Sequence, residues 1–492
     1  MPLNASSPLH LHLLQSSALI ALCVISAPFC TLFAIFSSIV SRYIDTQTRQ
    51  IQERRASYSF RSRTVLVTGV GMSKGLTIAR SFYLSGHRVI GADFEHYGIP
   101  VCARLSKSLS KLYRLPNYTS AETYTQRILE IVKVEKVDLW ISCSGIHSAI
   151  EDAEAAERLE RETNCKVVQF DVETTKVLHE KDLFLESTRK IGLSVPDTHS
   201  VTSTEDAMKV LRLVDPSTNK MRYIMKSVGI EDSIRTDMRL LPLQSKASTS
   251  DYISSLRPSA KRPFVLQEFM GGQEYCTHAL LVRGRVRTFT ACPSSDLLMH
   301  YQALSPDSEL FMGMLKYTER YAQNMGENTT GHFSLDFFAD EVEIGEKKVL
   351  KLRPIECNPR AHTAVVLFGD QREEMVEAYL SVLDGSDSEK PVIAKPLSLG
   401  NYWIAHDLAT RCIIPFLELL VFRTNSSAVL SKLKEFREHL TYWKDGTYEV
   451  WDPWPTWWLY FGYWPLWLLV RISIGRWWSR CNVSTSRFYE CY

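Results

Sequence analysis

Between residues 180 and 360 the chain sets out amines and oxygen donors with spacings that suit a polyphosphate and a hard metal ion. Asp336 sits in Ser-Leu-Asp-Phe-Phe, and Glu356 and Asn358 in Arg-Pro-Ile-Glu-Cys-Asn-Pro-Arg, within two runs that read as neighbouring strands. Residues two apart on a strand point to one face, so Glu356 and Asn358 are expected side by side with Asp336 opposite. Magnesium typically takes one or two carboxylates together with substrate phosphates. The cations are Lys181, in His-Glu-Lys-Asp-Leu-Phe, and Lys226, which ends the apolar strand Arg-Tyr-Ile-Met-Lys. A lysine in a buried strand needs an anion to meet, and a triphosphate is one. At 265–275, Val-Leu-Gln-Glu-Phe-Met-Gly-Gly-Gln-Glu-Tyr reads as a strand running into a hinge. Gln267, Glu268 and the backbone of Phe269 are placed for an adenine edge, and Glu274 for ribose hydroxyls. A chance polar face of a sheet would match any one of these residues, but not the ordered set.

That ordered set resembles the ATP-grasp superfamily, in the manner of carbamoyl-phosphate synthetase and biotin carboxylase, over roughly 61–395. Glu-Cys-Asn-Pro-Arg is its most specific element. Two phrases, Gly-His-Arg-Val-Ile-Gly-Ala-Asp-Phe-Glu and Gly-Thr-Tyr-Glu-Val-Trp-Asp-Pro-Trp-Pro, look like fungal members from secondary-metabolite clusters, the fumisoquin alkaloid pathway among them. The resemblance implies MgATP, with Mn2+ as a substitute ion, and Lys181 and Lys226 on the phosphates. Glu268 would read adenine and Glu274 the ribose, while Asp336, Glu356 and Asn358 hold the metal. Arg360 would face the γ-phosphate and an acyl-phosphate. It further implies a ligase joining a carboxylate to an amine, and a homodimer. Arg287 and Arg353 are the candidate clamps for the substrate carboxylate, since the planar guanidinium fork matches it. His332 and His362 could take the amine's proton. The sequence departs from the family in its phosphate-covering loop, where Ser227-Val-Gly229 and Ser233 are a thin substitute, and in Ser334, where relatives carry a basic residue.

Two domains must position these groups. Strand and helix patterns alternate over 61–172, beginning with Thr-Val-Leu-Val-Thr-Gly at Thr64, which argues for a parallel, doubly wound, Rossmann-like sheet. From 173 to 395 the order of helices and antiparallel strands suits an α+β ATP-grasp domain. A smaller mixed region occupies 396–450. The turn Thr68-Gly-Val-Gly-Met-Ser-Lys-Gly75 between the first strand and helix could hold phosphates, and Asp93 could bind a ribose. Its spacing, however, is GxGxxxG rather than the dinucleotide GxGxxG, and no Tyr-x-x-x-Lys pair occurs in the chain. The alternatives are therefore a turn that only packs helix on strand, an NAD(P)-dependent oxidoreductase, and an inactive membrane scaffold.

Ahead of these domains, a short extracytosolic tail (1–17) precedes a charge-free apolar stretch from Ala18 to Val40, long enough to span a bilayer. Arg42, Arg49, Arg54, Arg55, Arg61 and Arg63 follow it, so the positive-inside bias places the remainder in the cytosol, joined by a linker at 41–60. Eight of the eleven tryptophans lie in the tail, 451–492, which reads as a membrane-interface segment or as a packing tail folded onto the catalytic part. Glycans on Asn117 or Asn328 would place the chain the other way round. Eleven scattered cysteines without a CxxC favour a reducing compartment. A net charge near +2 gives no footprint for nucleic acid.

Overall fold

The computed structural model describes residues 3–4, 6–44, 46–116, 120–143, 145, 148–212, 222–227, 239–295, 297–344, 347–386 and 390–491. Asn117, Gly229 and Ser233 lie outside these. The contacts divide the chain into two units: Met1–Lys176 with Cys276–Ser334 and Asn358–Tyr492, and Val177–Tyr275 with Leu335–Cys357.

In the first unit, five strands form a wholly parallel sheet: β1 (Thr64–Thr68), β2 (Arg88–Phe94), β3 (Lys111–Leu115), β4 (Leu139–Ile141) and β5 (Lys166–Val168), in the order β3-β2-β1-β4-β5. Central strands of such sheets are covered on both faces and read as continuous apolar runs. Val65, Leu66 and Val67 are accordingly wholly buried, although consecutive residues point to opposite sides. The helices Ser73–Leu84, Ala121–Glu135 and Ala149–Glu162 supply the cover. The parallel sheet expected from the sequence pattern is thus present. The strand β3 was not legible, because Lys-Leu-Tyr-Arg-Leu is an edge strand with a polar, half-exposed pattern.

The second unit holds a three-stranded antiparallel sheet, β6 (Thr198–Val201), β7 (Tyr223–Ser227) and β8 (Phe264–Glu268), with β8 in the middle. Later strands are β9 (Gln273–Val282), β10 (Arg285–Pro293), β11 (His300–Tyr301), β12 (Gly331–Ile344), β13 (Lys347–Asn358), β14 (Val392–Ile393), β15 (Asn401–Tyr402) and β16 (Lys444–Asp445). They form a five-stranded sheet in the order β13-β12-β9-β10-β14 and a three-stranded one in the order β11-β15-β16. The hairpin at Arg283-Gly284 and the long strands either side of it follow the sequence pattern.

The helix Leu9–Ile44 is long and apolar enough to cross a membrane, with a best window of mean hydropathy 2.5 that is 6% buried. The polar stretch after it, which reads as a linker, contains the helix Thr46–Ala56. That helix buries Ile51, pairs Arg54 with Glu373 and donates Arg55 Nε to the Gly86 carbonyl at 2.9 Å. The Trp-rich tail forms the helices Trp454–Trp458 and Trp464–Ser473 and a hairpin of β17 (Trp478–Asn482) and β18 (Arg487–Glu490). Trp451, Trp464 and Trp478 are buried. Trp457 Nε1 donates to Thr31 Oγ1 at 2.8 Å, and Trp478 Nε1 to Ser16 Oγ at 3.3 Å, both on the long N-terminal helix. Trp451, Trp464 and Trp478 are thus core residues of the chain, Trp457 is half-buried, and two of the tail's indoles reach the long apolar helix itself. Their indole rings are amphipathic, so composition alone could not distinguish protein from headgroup surroundings.

Candidate nucleotide and metal site

The three-stranded sheet sets the first part of the site. In its antiparallel register Ile224 faces Gln267 and Lys226 faces Val265, so Lys226 and Gln267 emerge on one side. Lys226 Nζ donates to Gln267 Oε1 at 2.7 Å. Burial, and after it the charge of Lys181, push the Lys226 amine down to about 8, while Glu356 and Glu274 pull the other way. Lys181 opens the helix Lys181–Lys190, and its amine is ion-paired to Glu356 of β13. Lys181, Lys226, Glu274 and Glu356 therefore form one charge cluster, all within the second unit. Ser227 Oγ, next to Lys226, is buried without a hydrogen-bond partner among the described residues. As the residue after Lys226 on β7, Ser227 points to the opposite side of the sheet, the side of Tyr223 and Glu268.

The candidate metal donors lie on β12 and β13, which neighbour each other in the sheet. Leu335, Phe337, Ile355 and Cys357 are buried, while the intervening Asp336, Glu356 and Asn358 are half-exposed. Strand alternation thus puts the apolar residues on the core face and the oxygen donors on the open one. Two carboxylates and a neutral amide are hard oxygen donors, which would fit Mg2+ or Mn2+ rather than a thiol- or imidazole-seeking ion. Arg360 follows two residues after Asn358. Its carbonyl accepts from Ser334 Oγ at 3.1 Å, which gives that serine a role in holding this turn.

Other expected residues are placed differently. Glu268 pairs with Tyr223, on the side of the sheet opposite Lys226. Its carboxylate accepts from the Asp197 N–H at 3.1 Å and lies 3.2 Å from the Arg353 guanidinium, and the Phe269 N–H donates to the Arg222 carbonyl at 2.6 Å. In this structure Gln267, rather than Glu268, accompanies the lysine. Arg353 is buried between Glu268 and Asp340, the latter 3.6 Å away, so its charge is already answered and it is not a free clamp for a carboxylate. Arg287, also buried, donates to the Ser386 carbonyl at 3.0 Å. His332 is buried and His362 half-buried, and both are pushed down to about 3, chiefly by burial and then by Lys74. His332 bonds to the Tyr379 hydroxyl at 2.7 Å, and His362 Nδ1 accepts from the Ala364 N–H at 3.2 Å, so both serve the core. Neither distinction was visible in the sequence, because an arginine or histidine in a strand reads the same whether or not its charge is answered.

The glycine-rich turn resolves as a packing device. A Cβ on Gly69 would lie 2.5 Å from the Cys143 carbonyl oxygen, and one on Gly75 would lie 2.4 Å from that of Gly69. The Gly71 N–H donates to Asp93 Oδ2 at 2.6 Å, and the Ser73 N–H at the helix start donates to the Ser484 carbonyl at 2.9 Å. The ribose-reading aspartate and the helix N-terminus that a dinucleotide needs are both taken by the protein, which disfavours the oxidoreductase alternative.

No protein-family model and no curated protein matches the chain. Among solved structures, an L-amino acid ligase from Bacillus licheniformis aligns over 70% of this chain and 81% of its own at 14% identity and a TM-score of 0.45. N5-carboxyaminoimidazole synthetase from Staphylococcus aureus, complexed with ADP, aligns over 68% and 80% at 13% identity and a TM-score of 0.47. The biotin carboxylase domain dimer of Hydrogenobacter thermophilus 2-oxoglutarate carboxylase, with MgADP, ADP and bicarbonate, aligns over 68% and 72% at 12% identity and a TM-score of 0.48. Likeness at this level assigns neither family nor activity, which rest on the chain's own side chains.

The depressed Lys226 amine sets a pH dependence. Below about pH 8 it is charged and would attract a phosphate; above, it is neutral. Nucleotide affinity, followed by calorimetry, is expected to weaken as pH rises through about 8. Lys226→Arg, whose guanidinium stays charged, should bind evenly across that range. A pH-independent affinity in the unmodified protein would remove Lys226 from the phosphate site.

Proposed function

We propose that this chain is an ATP-grasp-type ligase that uses MgATP to activate a carboxylate and join it to an amine. The observation that carries the reading is the cluster of Lys181, Lys226, Glu274 and Glu356 within the second unit. Lys181 and Lys226 would hold phosphate oxygens, and Glu274 the ribose. Asp336, Glu356 and Asn358 would hold one or two Mg2+, whose contribution is neutralisation of phosphate charge. On nucleotide binding, the Lys181–Glu356 pair would exchange for lysine–phosphate and carboxylate–metal contacts. Phosphoryl transfer to the substrate carboxylate gives an acyl-phosphate and ADP; a neutral amine then attacks the carbonyl carbon and phosphate leaves. Arg360 is the remaining candidate for orienting the acyl-phosphate, because Arg287 and Arg353 are engaged elsewhere. Catalysis of this kind is positioning and electrostatics, with little covalent work for the protein.

The likeness noted in the sequence to fungal secondary-metabolite enzymes supports amino-acid-like substrates. The apolar helix Leu9–Ile44 supports a single-pass anchor with the catalytic units in the cytosol, and a homodimer is the assembly implied by the superfamily resemblance. The test is to incubate the detergent-purified chain with pooled amino acids, ATP and Mg2+, and to read nucleotide products and masses. ADP, phosphate and a condensed product are expected, at a rate that requires both an acid and an amine. AMP with pyrophosphate, or no substrate-dependent nucleotide turnover, would overturn the reading.

A further inference from the structure

Away from the nucleotide site, the first unit gathers three histidines around one buried aspartate. His300 lies on β11, which pairs antiparallel with β15 so that His300 faces Tyr402. His406 and Asp407 end the short helix Ile404–Asp407, and His439 sits near the end of the helix Ser426–Tyr442. The Asp407 side chain is wholly buried. His300 Nε2 is 2.6 Å from its Oδ1, and His439 Nδ1 is 2.5 Å from its Oδ2. One ligand atom from each of His300, His406 and Asp407 falls within 4.8 Å of the others.

We infer that His300, His406 and Asp407 form a second metal site, for a divalent first-row transition ion such as Zn2+. Several observations bear on this. Zn–N and Zn–O bonds of about 2.0–2.2 Å place tetrahedral ligand atoms roughly 3.3 Å apart, which is within the span these three atoms already occupy. Two imidazoles and a carboxylate select zinc, iron or copper over magnesium, so the site is chemically distinct from the oxygen set on β12 and β13.

A hydrogen-bonded trio would need only His300, Asp407 and His439. The His406 ring, half-buried beside them, makes no hydrogen bond in the cluster among the described residues. His439, bonded to the far oxygen of Asp407, fills the place of the outer partner that orients a ligating carboxylate. Arg411, 3.8 Å from Asp407, directs its charge to Glu435 at 2.7 Å. The segment after Asp407, Leu408–Ile413, is a π-helical turn, a rare distortion that recurs at functional sites. An ion there would cross-link the strand at 300 to the helical segment at 406–407. With three protein ligands it would keep an open position toward solvent or a small ligand.

The test uses the full chain in detergent, stripped with a chelator and titrated with Zn2+ under excess Mg2+, which occupies hard-oxygen sites. Bound zinc is counted by plasma mass spectrometry, and Co2+ replaces it for absorption spectra. About one Zn2+ per chain is expected, bound with proton release. Zn2+ should raise the thermal midpoint of the unmodified chain. His406→Gln leaves both Asp407 hydrogen bonds in place, so it should fold normally, lose the zinc and lose the midpoint rise. His439→Ala, which removes only the outer partner, should weaken zinc about 10–100-fold. Absence of stoichiometric zinc from the unmodified chain, or unchanged zinc binding in His406→Gln, would overturn the site and leave Asp407 as a hydrogen-bonding hub.

Discussion

Glu356→Ala is expected to abolish substrate-dependent ADP release while leaving the chain folded. Glu356 stands half-exposed on the open face of β13, between the buried Ile355 and Cys357, so its removal opens no cavity. Its carboxylate pairs with Lys181, and its charge raises the proton affinity of Lys226. Deleting it would therefore remove a proposed metal ligand and leave two amines with less to balance them. Losing a metal carboxylate costs on the order of several kcal/mol of transition-state stabilisation, and each ~1.4 kcal/mol is a factor of ten in rate. A fall of at least about 10²–10³ in kcat is the expected scale. The amines, freed of their counter-charge, should still bind nucleotide, so binding without turnover is the expected signature. Turnover at the normal rate, with circular dichroism unchanged, would remove Glu356 from the metal set and the ligase reading with it.

How much of this was legible beforehand depended on whether a residue's meaning is local or set by its register. The parallel sheet was legible because runs such as Val65–Val67 carry their burial in their composition. The open-face donors Asp336, Glu356 and Asn358 were legible because period two sorts them from Leu335, Phe337 and Cys357. The roles of Glu268 and Gln267 were not: they are adjacent on β8, and only the pairing with β7 shows which of them shares a side with Lys226. Arg287 and Arg353 failed as clamps for a related reason. The partners that answer them, the Ser386 carbonyl and the Glu268 and Asp340 carboxylates, are distant in sequence. The cluster around Asp407 was missed because its members come from 300, 406–407 and 439, with no short motif to announce them.

Asp452→Ala is expected to destabilise the first unit by about 3–5 kcal/mol, the cost of breaking a buried ion pair by deleting one partner. Asp452 is the second residue of the stretch that reads in sequence as a separate tail, yet its side chain is wholly buried and that of Arg80, on the first helix of the parallel-sheet domain, is 5% exposed. Arg80 Nε lies 3.0 Å from Asp452 Oδ2, which also accepts from Ser106 Oγ at 2.6 Å, while Oδ1 accepts from the Lys107 N–H at 2.9 Å. The rest of the Arg80 guanidinium donates to the Thr447 carbonyl at 2.6 Å and the Asp452 carbonyl at 2.9 Å. Alanine would leave a buried cation and two other donors unanswered, whereas Asp452→Asn keeps an acceptor and should cost less. Arg80→Met combined with Asp452→Ala should cost less than the sum of the two single changes, since the pair is coupled. Denaturant midpoints measure all four proteins, and a change below about 1 kcal/mol for Asp452→Ala would show the pair to behave like a surface one. The same bonds forecast what truncation does. Removing 451–492 takes away Asp452 and also the Ser484 carbonyl that receives the Ser73 N–H, so the shortened chain should lose the parallel-sheet domain rather than merely its grip on a membrane.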